Sequence, residues 1–193
     1  MPATGPARRL CALGAQLHPP PVPGGAGSGD GRLRLCFVGC GSICHAHLNG
    51  LAALAASRIT VTCCIDASPE RAAEIAALVH SSPAGSTTPP ATFTSLGEAL
   101  AAGAPFDAVD IMLPHSLHRP IATEALASGK HVLLEKPMAN TLEDAAAILE
   151  AATASGCVFM MAVRFTLPPG SIGTTSESCG ARRRRTRSTG RRW

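Results

Sequence analysis

The chain contains no tyrosine, which excludes any mechanism in which a tyrosine of this chain serves as acid or base. Aromatic side chains are scarce altogether, with five Phe and one Trp among 193 residues. Long apolar stretches are also missing. The longest, such as Cys157–Val163, fall far short of the roughly 18 residues that a membrane-spanning helix needs. No secretory signal pattern precedes the cysteines, which argues against an oxidised extracellular protein. Aspartate does not recur after Asp144, nor histidine after His131, so proton-transfer groups of these types are absent from the C-terminal part.

What is present suits a soluble globular core: 46% hydrophobic and 16% charged residues. The length fits one ordinary domain with a tail, not a cofactor domain plus a full substrate domain. The net charge of +4 is uneven. Residues 181–193 carry seven Arg and no acid, whereas residues 1–180 carry ten basic and thirteen acidic side chains. Eight cysteines are present. Cys36, Cys40, Cys63, Cys64 and Cys157 sit in or beside apolar runs, where free Cys behaves as a small hydrophobe. The expectation is a reduced, intracellular, cytoplasmic chain without a membrane segment. Arg8 and Arg9, with no acid before Asp30, leave organelle import open.

Residues 1–31 are rich in Pro, Gly and Ala and bury too little apolar surface to offset their ordering entropy, so disorder is expected there. Residues 32–165 alternate strand and helix patterns. Strands are expected at Leu33–Val38, Ile59–Ile65, Ala91–Thr94, Asp107–Leu113, His131–Leu134 and Cys157–Val163. Helices are expected at Ser42–Ala56, after the cap Ser68 with Pro69 at the first position, at Leu96–Ala102, from Pro120 to Gly129, and from Thr141 to Gly156. This alternation predicts an α/β fold with a doubly wound parallel sheet, a Rossmann fold, between disordered tails. Residues 166–193 show no periodicity, and a disordered basic tail is expected.

Gly39-Cys40-Gly41-Ser42-Ile43-Cys44 lies between the first strand and the first helix. A glycine at 39 permits a tight turn, and one at 41 lets the backbone approach a pyrophosphate. Ser42 and Ile43 open a helix whose free N–H groups favour an anion. Cys44 takes the third small position and is large enough there to loosen helix–strand packing. Asp66 ends the second strand, where a carboxylate accepts the adenosine ribose hydroxyls and repels a 2′-phosphate, favouring NAD over NADP. Cys36, Cys40 and Cys44, near His45 and His47, do not suit a metal, because the first belongs to the strand and the second to the turn. Two further groups follow strands at the carboxyl edge, where open α/β sheets bind ligands: Leu113-Pro114-His115-Ser116-Leu117-His118 and Glu135-Lys136-Pro137. His115 and His118 are placed to line a cofactor cleft, and a lysine in a cleft can exchange a proton with a substrate hydroxyl.

Residues 33–165 resemble the cofactor domain of the glucose–fructose oxidoreductase/inositol dehydrogenase (Gfo/Idh/MocA) family. The resemblance rests on Phe37–Ile43, Asp66, Pro114–His118, Gly129–Met138 with its Gly-Lys-His-Val and Glu-Lys-Pro strings, and Arg164-Phe165. It implies binding of NAD or NADP and oxidation or reduction of sugars, polyols or related hydroxy compounds. It implies that Lys136 is the catalytic lysine beside the nicotinamide and that Glu135 helps hold the nicotinamide ribose. It also implies that Leu113, His115, His118 and Arg164 flank the same cleft. The family continues into a substrate domain with an Asp-x-x-x-His pair, which residues 166–193 do not supply. A truncated, alternatively spliced or frame-shifted product is the expectation, with a sugar or polyol partner only if another chain brings the substrate half. Two other readings stand beside this one. One is a nucleotide-binding module without catalysis. The other is a basic tail, Arg182–Arg185 with Arg187, Arg191 and Arg192, that binds nucleic acid. The absence of interleaved aromatics speaks against the last.

Overall fold

A computed structural model describes residues 31–54, 58–85 and 87–162. The Pro/Gly-rich N-terminal segment, Arg164, Phe165 and the basic tail lie outside the described residues. Among the described residues there are six strands: β1 (Leu33–Val38), β2 (Ile59–Ile65), β3 (Ala91–Phe93), β4 (Ala108–Ile111), β5 (His131–Glu135) and β6 (Phe159–Ala162). The α-helices of the described residues connect them: α1 (Ser42–Leu54), α2 (Pro69–His80), α3 (Leu96–Ala101), α4 (His118–Ala127) and α5 (Leu142–Ser155). The strands form one parallel sheet in the order β3-β2-β1-β4-β5-β6. This is the doubly wound arrangement, with its reversal of direction between β1 and β4.

Alternation along each strand divides the core into two layers. Cys36 and Val38 of β1, Val109 and Ile111 of β4, and Val132 and Leu134 of β5 pack with Leu96, Ala122, Leu126 and Ile148 of α3, α4 and α5. Leu35 and Phe37 of β1, Val61 and Cys64 of β2, and Ala108 pack on the other face with Cys44 and Leu48 of α1 and Ile75 and Val79 of α2. Cys44 is fully buried in that second layer, so its extra bulk over glycine is accommodated. Cys36 belongs to the opposite layer from Cys40 and Cys44, and the three do not converge.

Local sequence sets most element ends. The Ser68 hydroxyl accepts from the Arg71 N–H, with Pro69 at the first helical position. Thr141 accepts from the Asp144 N–H at the start of α5, and Gly156 closes that helix at φ +67°. One start differs from expectation. Helix α4 begins at His118, continuing a 3-10 turn at His115–Leu117, two residues before Pro120. Proline costs nothing there, because N–H groups of a first helical turn have no intrahelical acceptor.

At the far, N-terminal edge of the sheet, Asp107 accepts from the Arg34 backbone N–H at 2.9 Å and from its guanidinium at 2.5 and 3.1 Å. Burial pushes the Asp107 carboxyl up, but the Arg34 hydrogen bonds outweigh it and hold the group below its ordinary range. A depressed folded-state pKa stabilises the fold above the unfolded value of about 3.9 and loses that contribution as pH falls through the folded value. Asp107→Asn is therefore expected to cost about 1–2 kcal/mol at pH 7 and much less at pH 2. Urea melts of both forms at the two pH values check this; an equal loss at both removes the ion pair from the account.

Candidate functional site

All six strands run the same way, so their carboxyl ends collect the turns that follow β1, β2, β4 and β5 at one edge. After β1, Gly39 takes φ +100° and its N–H donates to the Ile65 carbonyl at 2.8 Å. A Cβ at Gly39 would lie 2.5 Å from the Met112 carbonyl oxygen. This glycine thus lets β1 turn against β4. At Gly41 a Cβ would meet nothing within 4 Å, so the turn faces open space. Ser42, exposed, and Ile43, half-buried, begin α1, whose first turn carries no acid. The positive end of the helix dipole is left to an external anion.

Asp66 stands beside this turn. One carboxylate oxygen accepts the Cys40 N–H and the other the Ser68 N–H, both at 2.9 Å. Asp66 is held in place by backbone donors and remains half-buried, with lone pairs left for further donors. Beneath the turn, hydrogen bonds from Cys44 and Cys64 pull the Cys40 thiol down, while the contact with Cys40 and burial push Cys44 and Cys64 up. Among the described residues no His, Cys, Asp and Glu group has the arrangement of a metal site.

After β4, Leu113 is half-buried and His115 exposed. His118 is fully buried. Its Nε2 faces the Leu113 carbonyl at 2.9 Å and its Nδ1 the Pro137 carbonyl at 3.0 Å. It ties the turn after β4 to the turn after β5, with the His115 ring edge-on at 5.4 Å between centroids. Both histidines follow β4 at the carboxyl edge, as expected; in the fold His115 is exposed and His118 is buried. After β5, Glu135 is buried and Lys136 exposed. The Lys136 N–H donates to Glu135 Oε2 at 2.8 Å.

A further charge cluster is not legible as a sequence motif. His47 of α1 lies between two carboxylates: Nδ1 is 2.7 Å from Asp110 Oδ2, and Nε2 is 2.9 Å from Glu135 Oε1. A neutral imidazole has one N–H, and an ionised carboxylate only accepts, so a ring that donates to both is an imidazolium. The Asp110 hydrogen bond is the largest influence; burial opposes it and Glu135 adds to it, holding His47 up at about 9. Burial pushes the Asp110 carboxyl above its ordinary range, with His47 pulling the other way. Two signals were available in the sequence. Asp110 is a lone acid inside the apolar run Val109–Ile111, where a charge needs a partner, and His47 sits on the apolar stripe of α1.

The doubly wound sheet, the open glycine turn and the acidic end of β2 define a dinucleotide-binding domain. The pattern of the "Oxidoreductase family, NAD-binding Rossmann fold", the Gfo/Idh/MocA family, matches residues 33–163, and the chain belongs to this family. It is 34% identical over 137 residues to scyllo-inositol 2-dehydrogenase (NADP(+)) IolU of Bacillus subtilis, a match covering 71% of this chain and 38% of that protein. It is 48% identical over 54 residues to galactose 1-dehydrogenase of Pseudomonas fluorescens, covering 28% and 18% of the two chains. The fold is similar to the WlbA dehydrogenase of Bordetella pertussis, solved with NADH and UDP-GlcNAcA. That likeness has a TM-score of 0.58 and 29% identity over 70% of this chain and 36% of that one. The matched part spans little more than a third of the length of the first of these relatives. No helix among the described residues is long and apolar enough to cross a membrane.

Proposed function

We propose that this chain supplies the cofactor half of an oxidoreductase that moves a hydride between a nicotinamide dinucleotide and a hydroxyl-bearing carbon of a sugar, polyol or related compound. In this reading residues 32–165 are the dinucleotide domain. The observation that carries it is the open space over Gly41 at the start of α1, with the anchored Asp66 carboxylate alongside. The residues fit the group: Gly41, Ser42 and Ile43 hold the pyrophosphate on the turn that Gly39 makes possible, and Asp66 the adenosine ribose. Bound NAD or NADP supplies the hydride acceptor or donor.

The chain's own residues divide the remaining work. Lys136, exposed at the carboxyl edge, takes up or returns the substrate hydroxyl proton. Glu135 helps hold the nicotinamide ribose, and Leu113 and His115 flank the cleft. His118 contributes by joining the two turns through their carbonyls. Turnover also requires that the substrate be positioned against Lys136 and the nicotinamide.

Asp66 points to NAD as the preferred form, because its negative charge opposes a 2′-phosphate. Titration with NAD is expected to raise the melting temperature; a ligand at one hundred times its Kd adds about 2.7 kcal/mol. Failure of both NAD and NADP to shift it overturns the cofactor reading. Asp66→Asn keeps the side chain's shape and removes its charge. It is expected to shrink the ratio of NAD to NADP affinity by about tenfold, or about 1.4 kcal/mol, read by calorimetry.

A further inference from the structure

We infer that His47 is a positioning residue that fixes the Glu135–Lys136 segment for the nicotinamide half of the cofactor, an inference that rests on the dinucleotide reading above. Strand alternation puts Asp110 and Glu135 on the sheet face that α1 covers. Val109 and Ile111 of β4, and Val132 and Leu134 of β5, all face the opposite layer. The in-register pairs Asp110↔Leu133 and Ile111↔Leu134 bring Glu135 close to Asp110 along that face. Two buried carboxylates on one face repel each other unless a cation lies between them. His47 is that cation, at 2.7 and 2.9 Å.

Each contact has a consequence. Asp110 Oδ1 is buried and has no hydrogen-bond partner among the described residues, so Asp110 depends on His47 through its other oxygen. Glu135 Oε1 takes the His47 ring and Oε2 takes the Lys136 N–H. The ring thereby orients the carboxylate, and the carboxylate orients the peptide that carries Lys136. Because His47 belongs to the helix that starts at the phosphate turn, the same contacts link the pyrophosphate end of the site to the Lys136 end. The adenosine end, at Asp66, has its own backbone donors and does not touch this group.

The test compares NADH, which spans both ends, with ADP, which reaches only the adenosine and phosphate end. Calorimetry on the wild-type chain is expected to show tighter binding of NADH than of ADP. In His47→Gln the advantage of NADH over ADP is expected to fall about tenfold, with ADP affinity unchanged. Removing one partner of a buried charge cluster threatens folding. His47→Gln/Asp110→Asn therefore serves as the second variant, since it removes one charge of each sign together; the same selective loss is expected. A folded variant that keeps the full NADH advantage overturns the role of His47, as does an equal loss of NADH and ADP binding. A wild-type chain that binds neither ligand overturns the dinucleotide reading instead, and His47 falls with it.

Discussion

Gly39→Ala is expected to cost the domain about 2–4 kcal/mol and lower its melting temperature by on the order of 10 °C. Two independent penalties combine. The φ of +100° is one that L side chains rarely adopt, and the new Cβ would lie 2.5 Å from the Met112 carbonyl oxygen and 2.9 Å from its carbon. Neither neighbour is a flexible side-chain tip. Both belong to the backbone just after β4, and the Met112 N–H itself donates to the Val38 carbonyl at 2.8 Å. Relief therefore requires β1 and β4 to part at the centre of the sheet. Circular dichroism melts of the two forms measure the effect; a loss below about 1 kcal/mol, typical of a surface change, shows that the turn relaxes around the methyl group.

Gly41→Val is expected to do the opposite: leave the melting temperature of the free domain nearly unchanged and weaken NAD binding about a hundredfold or more, equivalent to about 2.7 kcal/mol. Beyond its chain neighbours its Cβ would meet nothing within 4 Å, and Gly41 does not take a positive φ, so the site has room for the side chain without backbone strain. The space it enters is the space over the start of α1, where a pyrophosphate needs the bare backbone. Calorimetry with NAD, beside a melt without it, separates the two effects. Unchanged affinity in a folded variant removes the pyrophosphate from this turn. Two glycines two residues apart are thus expected to fail for different reasons, one in the sheet and one in the ligand site.

The glycine turn and Asp66 were legible because their geometry is local. A strand, a turn, a helix and a second strand follow one another within residues 33–66, and apolar periodicity marks each boundary. The cap residues Ser68 and Thr141 were legible for the same reason, since a cap acts on the next turn of chain. The start of α4 was less so, because the preceding 3-10 turn runs into it and Pro120 sits at a position where proline is merely tolerated. The place of His118 after β4, at the carboxyl edge of the sheet, puts it beside a cleft but does not tell whether its ring is open to it. Its burial depends on the Pro137 carbonyl, 19 residues away along the chain.

By itself the sequence determined the parallel α/β architecture, the glycine turn after β1, the acid that follows β2 and the concentration of seven Arg in residues 181–193. Those follow from residue periodicity, glycine placement and charge counting, all of which act over a few neighbouring residues. Only the tertiary structure decided which groups share charge. His47 meets Asp110 across 63 residues and Glu135 across 88. That meeting requires β4 and β5 to pair in register and α1 to cover one particular face of them. A strand's two faces look alike in sequence until the sheet is assembled. Whether a buried acid faces a cation or another acid is then set by which helix lies over it.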